Sequence, residues 1–249
     1  MIYLKSPSQV NELEYVNKLG AEFLSICFDC IKVGVYTSEL EEFAIRFCES
    51  NNVASAFYGY SGFPHWLCVS LNEEIIHGFP GERIIQNGDV VSVDFGIKRN
   101  GYVSDAAFTK IVGDPRNGDR KLVETAKECL ERGIQQAKPG NRINDISWSI
   151  HRHAIKNGFD VVRDFVGHGV GFKLHEPPQI PNYESDKGVN YKLRAGMVIA
   201  IEPMLVEGTF DYFIAPNKWT VITADYKKSA HFEHSIAILP GGAKILSKI

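Results

Sequence analysis

An α+β architecture, an antiparallel sheet flanked by two helix pairs, follows from three features of the sequence. Helical periodicity occurs in two separated pairs of segments. Strand-like segments come in runs after each pair, where single alternation would signal βαβ units and a parallel sheet. Asn100-Gly101 joins two apolar strands as a two-residue hairpin turn of the primed type.

Ser6-Pro7-Ser8-Gln9 opens the first helix, with Ser6 as cap, Pro7 in the first turn and Gln9 able to close a capping box. Val10, Leu13, Val16, Leu19 and Phe23 keep helical spacing, and Gly34 is read as the stop. The second helix starts near Thr37 or Ser38 and runs to about Ser50. The third runs from Asp119 to about Ala137, the stretch "KPGN" breaks it, and the fourth covers Asn144 to Asn157. An offset of 106 carries Lys32, Gly34, Arg46 and Asn51 onto Lys138, Gly140, Arg152 and Asn157, a faint internal duplication. Strand signals lie at Cys68–Leu71, Val90–Lys98, Tyr102–Val112, Met197–Ile201 and His231–Leu239. No linker divides the chain, so residues 1–249 read as one domain with two related halves, about 5–115 and 116–245.

Composition narrows the partners. A net charge of -3 gives no support for nucleic acid or an anionic membrane, and no segment has the apolar length needed to span a bilayer. "MIYLKSPSQV" has neither the apolar core nor the cleavage site of a signal peptide. The odd number of cysteines, 27, 30, 48, 68 and 129, suits a reducing cytoplasm. Cys27-x-x-Cys30 has no second pair with which to bind zinc and lies in a helical apolar pattern, so both are expected to pack in the core.

The segment "VVSVDFGIKRNGYVSDAAFTKIV" carries the most chemical information. If Arg99 faces Tyr102 across the turn, Asp94 faces Ala107, and Asp105 lies two residues away on the same face. The two carboxylates are then diagonal neighbours, with backbones about 7–8 Å apart. A single strand aspartate usually faces water, but two on an apolar face need a counter-charge, and a metal supplies it. "DFG" at Asp94–Gly96 and "HRH" at His151–His153 superficially suggest a protein kinase. Their order is reversed, and the nucleotide loop and strand lysine are missing.

Two more acids stand in apolar strands: Glu202 after "MVIAI", and Glu233 in "AHFEHSIAIL". Either alone also reads as a satisfied buried carboxylate. Four such groups balance two divalent cations, and with one neutral imidazole they form an oxygen and nitrogen donor set that accepts Mn, Fe, Co or Zn. Two close cations hold a hydroxide at neutral pH and polarise a substrate oxygen. In "VGHGVGFKLHEPP", His168 sits between glycines that leave the backbone free to approach a metal, and His175 follows seven residues on. His77 ends the strand-like run "NEEIIHGFP". A lone histidine is more often a satisfied core residue, but three in glycine-bounded turns beside four buried acids point to function. The stretch is not G-x-G-x-x-G and no βαβ unit surrounds it, which disfavours a nucleotide loop.

Asp94, Asp105, His168, Glu202 and Glu233, in that order and spacing, resemble the ligand set of the methionine aminopeptidases, most closely the bacterial type I form. The likeness spans the chain through "KSP", "SLNEEIIHGFP", "GHGVGFKLHEPPQIPNY", "AIEPM", and "WTV" with "SAHFEH". It implies the pita-bread (creatinase/aminopeptidase) fold, whose halves are related by pseudo-symmetry. It also implies that a dinuclear metal centre removes the N-terminal methionine before a small second residue. By this resemblance Asp94 is the bidentate ligand of one metal, Asp105 and Glu233 bridge, and His168 and Glu202 hold the other. Glu202 is also the general base, while His77 and His175 contact the scissile peptide and His175 stabilises the oxyanion.

The same resemblance places Tyr60, Phe63, Cys68 and Trp219 in the methionine pocket. This chain departs from the common pattern there: Phe63 replaces a tyrosine, Phe57 a cysteine, Leu174 a phenylalanine and Ser61 a histidine. Asn72, Glu74 and Ser229 stand where the family holds a monovalent cation, sodium or potassium, by backbone oxygens. The implied partners are nascent polypeptide N-termini, with a transient ribosome contact, and the implied state is a cytoplasmic monomer. Two other readings share the fold: a proline-specific peptidase, whose members usually carry a large extra N-terminal domain, and a non-catalytic binding module, whose members typically lose metal ligands.

Overall fold

In the computed structural model the described residues are 2–184 and 190–248. Four long helices pack on one curled sheet: α1 (Pro7–Cys30), α2 (Thr37–Asn51), α3 (Asp119–Gln136) and α4 (Ile143–Lys156). The eight strands of that sheet are β1 (Cys68–Leu71), β2 (Val90–Phe95), β3 (Ala106–Ile111), β4 (Gly167–Gly169), β5 (Glu176–Ile180), β6 (Val198–Ile201), β7 (Glu233–Leu239) and β8 (Gly242–Ile245). Their spatial order is β5-β4-β6-β7-β3-β2-β1, with β8 also on β7, and every pairing is antiparallel.

The helix starts follow local chemistry. The Ser6 hydroxyl accepts from the Gln9 amide, and the Gln9 side chain accepts from the Ser6 amide, closing the capping box with Pro7 in the first turn. An offset of 106 carries the end of α1, Cys30, onto the end of α3, Gln136, and the start of α2, Thr37, onto the start of α4, Ile143. Gly34 and Gly140 both take left-handed φ, 91° and 99°, in the turns between.

Two cores fill the outer side of the sheet. Phe23, Leu24, Leu40 and Phe47 of the first helix pair meet Val69, Val93, Phe95 and Phe108. Leu122, Cys129, Ile146 and Ile150 of the second pair meet Ile180, Ile199, Ile201 and Ile236. Strand residues alternate between faces, so Val93 and Phe95 turn Asp94 inward, just as Ile199 and Ile201 turn Ala200 inward.

Some boundaries differ from the sequence expectation. α1 stops at Cys30 because Ile31 is already extended, and Gly34 belongs to the following turn. Cys27 is buried but Cys30 is exposed, so only the first packs in the core. The expected strand Val90–Lys98 breaks at Gly96, where a Cβ would press on the Ser104 carbonyl oxygen and the Phe57 ring. The expected strand His231–Leu239 begins at Glu233, and Ser229–His231 pairs separately with Met204–Val206.

Candidate metal centre and substrate cavity

The hairpin register places the first two acids. Asn100 and Gly101 both have positive φ, as a primed turn requires, and Arg99 pairs with Tyr102. The register persists across the break, so Asp94 faces Ala107. Ala107 in turn faces Glu233, and Asp94 faces Cys68, forming one row across four strands. A second row joins Gln179, His168, Ala200 and Ser235.

Glu233 and Ser235 are two residues apart on β7, so both rows share a face. Asp105 lies two residues before Ala107, and its backbone oxygen accepts from the Ser235 hydroxyl at 2.8 Å. Glu202 lies two residues beyond Ala200, just past the end of β6. All five candidate ligands therefore emerge on the concave face, around buried Ala107 and Ala200.

The glycines beside His168 are required by the packing of the sheet. A Cβ on Gly167 would collide with the Ala200 carbonyl oxygen, and one on Gly169 with that of Pro177. They allow β4 to fit between β5 and β6.

Ligand atoms of Asp105, His168 and Glu233 lie within 4.8 Å of one another. His168 Nε2 is 3.3 Å from Glu202 Oε1 and 3.6 Å from Asp105 Oδ2. His168 Nδ1 is 3.0 Å from the Gly169 carbonyl, which can only accept, so Nδ1 carries the proton and Nε2 keeps a free lone pair. Burial holds this ring neutral, its pKa drawn down to about 3.

The acids are in the opposite predicament. Asp94 Oδ1, Asp105 Oδ1 and Glu233 Oε1 are buried without a hydrogen-bond partner. Among the described residues no lysine or arginine pairs with any of the four carboxylates. Burial pushes Asp94 up to about 8. Burial, and then the neighbouring carboxylates, push Asp105, Glu202 and Glu233 well above the usual range. Unpaired carboxylates packed this way demand cations. Two divalent ions match the four charges, and the oxygen and imidazole donors fit such ions. Cys68 adds no thiolate, because burial and the adjacent acids raise its pKa well above the usual value.

Above this floor the cavity is lined by Phe57, Phe63, Cys68, Leu174 and Trp219, with Tyr60 at the mouth. Phe63 meets Trp219 edge-on at 5.1 Å between ring centroids. His77 has a left-handed φ of 56°, and its ring packs edge-on against Phe165 and Trp219. Burial, and then His175, lower its pKa to about 4. The His175 ring lies 4.2 Å from that of His168, with Nδ1 2.7 Å from the Tyr60 hydroxyl. Burial lowers its pKa as well. Every residue expected at the metal centre, the scissile peptide and the methionine pocket lines this one cavity. Apart from it, Asn72, Glu74 and Ser229 meet where the Ser229 hydroxyl reaches both carbonyl oxygens at 3.1 Å.

Two features of the site have no counterpart among the residues expected from the sequence. His231 is buried, with its amide and carbonyl both bonded to the Thr109 hydroxyl, and its unpartnered Nε2 lies 3.8 Å from Glu202 Oε2. Its alternation with Glu233 was the available signal. Lys5 and Glu176 form a buried ion pair, and the other Glu176 oxygen accepts from the Phe172 and Lys173 amides. This ties down the loop that presents Leu174 and His175, and no local pattern announces a pairing across 171 positions.

The model for metallopeptidase family M24 matches residues 11–240. Methionine aminopeptidase 1 of Bacillus subtilis is 43% identical over 250 residues, covering the whole of both chains. The crystal structure of the Thermotoga maritima methionine aminopeptidase matches with a TM-score of 0.96 at 41% identity, again over the whole of both chains. Prolidase from Pyrococcus furiosus, 24% identical with a TM-score of 0.79, covers 99% of this chain and 65% of its own, and shares the pita-bread fold alone. The chain thus belongs to metallopeptidase family M24 and, by full-length identity, to the methionine aminopeptidases within it.

Proposed function

We propose that this chain removes the N-terminal methionine from polypeptides whose second residue is small, using two divalent metal ions. The observation that carries the reading is the convergence of four carboxylates with no lysine or arginine beside them, three of which have a buried oxygen without a partner, and one bare imidazole nitrogen beneath an apolar cavity. Asp94 would hold one ion, Asp105 and Glu233 both ions, and His168 with Glu202 the second. When bound, the pair supplies a nucleophilic water at neutral pH and polarises the scissile carbonyl. Cobalt, manganese, iron and zinc all suit these donors.

The residues divide the remaining work. Glu202 takes the proton from the attacking water and passes it to the leaving amine. His175 donates to the developing oxyanion, and His77, which lines the same cavity, contacts the same peptide. Phe57, Phe63, Leu174 and Trp219, with Cys68 and Tyr60, surround the methionine side chain. Phe57 and Leu174, at positions where bacterial enzymes often carry cysteine and phenylalanine, shape this pocket.

The carbonyl oxygens of Asn72 and Glu74, with Ser229, form a candidate site for sodium or potassium. The substrates are nascent N-termini met in the cytoplasm, with transient contact to the ribosome, and the working unit is a monomer. Residues 1–249 act as one catalytic domain with halves at about 5–115 and 116–245. Among the described residues no helix is long and apolar enough to cross a membrane.

The test compares Met-Ala-Ser with an Xaa-Pro peptide on metal-replete protein. Methionine release without Xaa-Pro cleavage is expected. Cleavage of the Xaa-Pro peptide without methionine release overturns the reading in favour of a proline-specific peptidase.

A further inference from the structure

His168 and His175 stand seven residues apart with their rings edge to face, yet different partners hold them. His168 Nδ1 meets a carbonyl, which can only accept. His175 Nδ1 meets the Tyr60 hydroxyl at 2.7 Å, and among the described residues no other hydrogen bond reaches that ring. Tyr60 comes from the short helical turn Tyr60–Gly62, where Ser61 has a left-handed φ of 49°.

A neutral imidazole offers one N–H and one lone pair, and the partner on one nitrogen decides the state of the other. The Tyr60 phenol keeps its proton at neutral pH, since a tyrosine ordinarily titrates at about pH 10. Phenol is a stronger acid than a neutral imidazole N–H, so in this pair the hydroxyl donates and Nδ1 accepts. The ring proton of His175 then resides on Nε2, the reverse of His168.

We infer that Tyr60 is a positioning residue that holds His175 as its Nε2–H tautomer, so that the cavity has a hydrogen-bond donor ready for the scissile carbonyl. The inference rests on the reading of His175 as the oxyanion donor. The opposite tautomer would present a lone pair to the developing negative charge. One stretch of chain would then carry an imidazole that gives a lone pair and another that gives a proton, set apart by a carbonyl and a phenol.

The test uses the full-length zinc-loaded protein, whose diamagnetic ions permit nitrogen NMR of the histidine rings. The His175 signals are identified by their absence from His175→Gln. In the wild type, Nε2 is expected to show the protonated-type shift and Nδ1 the unprotonated type. In Tyr60→Phe the two tautomers are expected to mix. With Met-Ala-Ser, kcat of that variant should fall about fivefold, the worth of one neutral hydrogen bond, with KM changed by less than about twofold.

A proton on Nδ1 in the wild type, an unchanged tautomer in Tyr60→Phe, or a loss confined to KM would each overturn the inference, the last making Tyr60 a pocket wall only. Wild-type protein that releases no methionine would instead defeat the functional reading, while the ring shifts still decide the tautomer.

Discussion

The floor and the wall of the cavity are built in different ways. The floor, Asp94, Asp105, His168, Glu202 and Glu233, lies on or at the ends of strands β2, β3, β4, β6 and β7, so ladder register fixes its geometry. The wall, Phe57, Phe63, Leu174 and Trp219, comes from segments between the regular elements. Charge without compensation is concentrated below, and apolar surface above. Chemistry placed on a rigid sheet keeps its distances, while loops can vary the pocket without disturbing them.

The largest expected effect attacks the floor. Glu202→Gln keeps the shape of the side chain but removes the proton acceptor, and kcat on Met-Ala-Ser should fall by about 1,000-fold or more, within the range that general bases supply. Circular dichroism should show an unchanged fold. A fall of less than about tenfold would mean that Glu202 is a ligand and not the base.

Ala107→Leu tests the floor from the other direction, by placing a larger side chain between Asp94 and Glu233 without substituting either. Divalent-metal binding should be lost at a stability cost of about 1–3 kcal/mol, the usual penalty of overpacking. Retention of both ions would show that the space beside Ala107 is not where they sit.

The rim histidine His77 joins the two regions, and its titration has a definite sign. Its folded pKa, about 4, lies below the unfolded 6.5, so the unfolded chain binds a proton that the folded chain refuses. Its share of stability is therefore complete above about pH 6.5 and falls as the pH drops toward 4. Urea midpoints of wild type and His77→Gln at pH 5 and pH 7.5 isolate this share, and the variant should lose less on acidification. An equal loss in both proteins would place the acid sensitivity elsewhere.

The smallest effect belongs to the wall. Trp219→Ala removes one side of the apolar pocket, so KM for Met-Ala-Ser should rise about tenfold with kcat nearly unchanged. If kcat fell as far as in Glu202→Gln, floor and wall would not be separable.

The two regions also differed in how far the sequence revealed them. The floor was legible because a two-residue turn sets a register and the alternation of a strand sets a face; Asn100-Gly101 alone brought Asp94 and Asp105 together. The helix pairs were legible from capping at Ser6 and from the apolar period. The wall carries no periodicity, and its residues were reached only through the family resemblance. Contacts such as Lys5 with Glu176 and Tyr60 with His175 join positions 171 and 115 residues apart, which local pattern cannot encode. The breaks at Gly96 and Phe232 escaped notice for a related reason: close approach to neighbouring backbone and a change of pairing partner are tertiary facts.

The central claim is that the sheet face gathers acids that need two cations and uses those cations to release methionine. It is tested most directly by measuring metal content and Met-Ala-Ser hydrolysis on one sample during chelation and stepwise re-addition of a divalent ion. Activity should vanish with the metal, return as ions rebind and end with about two bound per chain. Full methionine release from metal-free protein, or saturation with no ion bound at these carboxylates, would contradict the account.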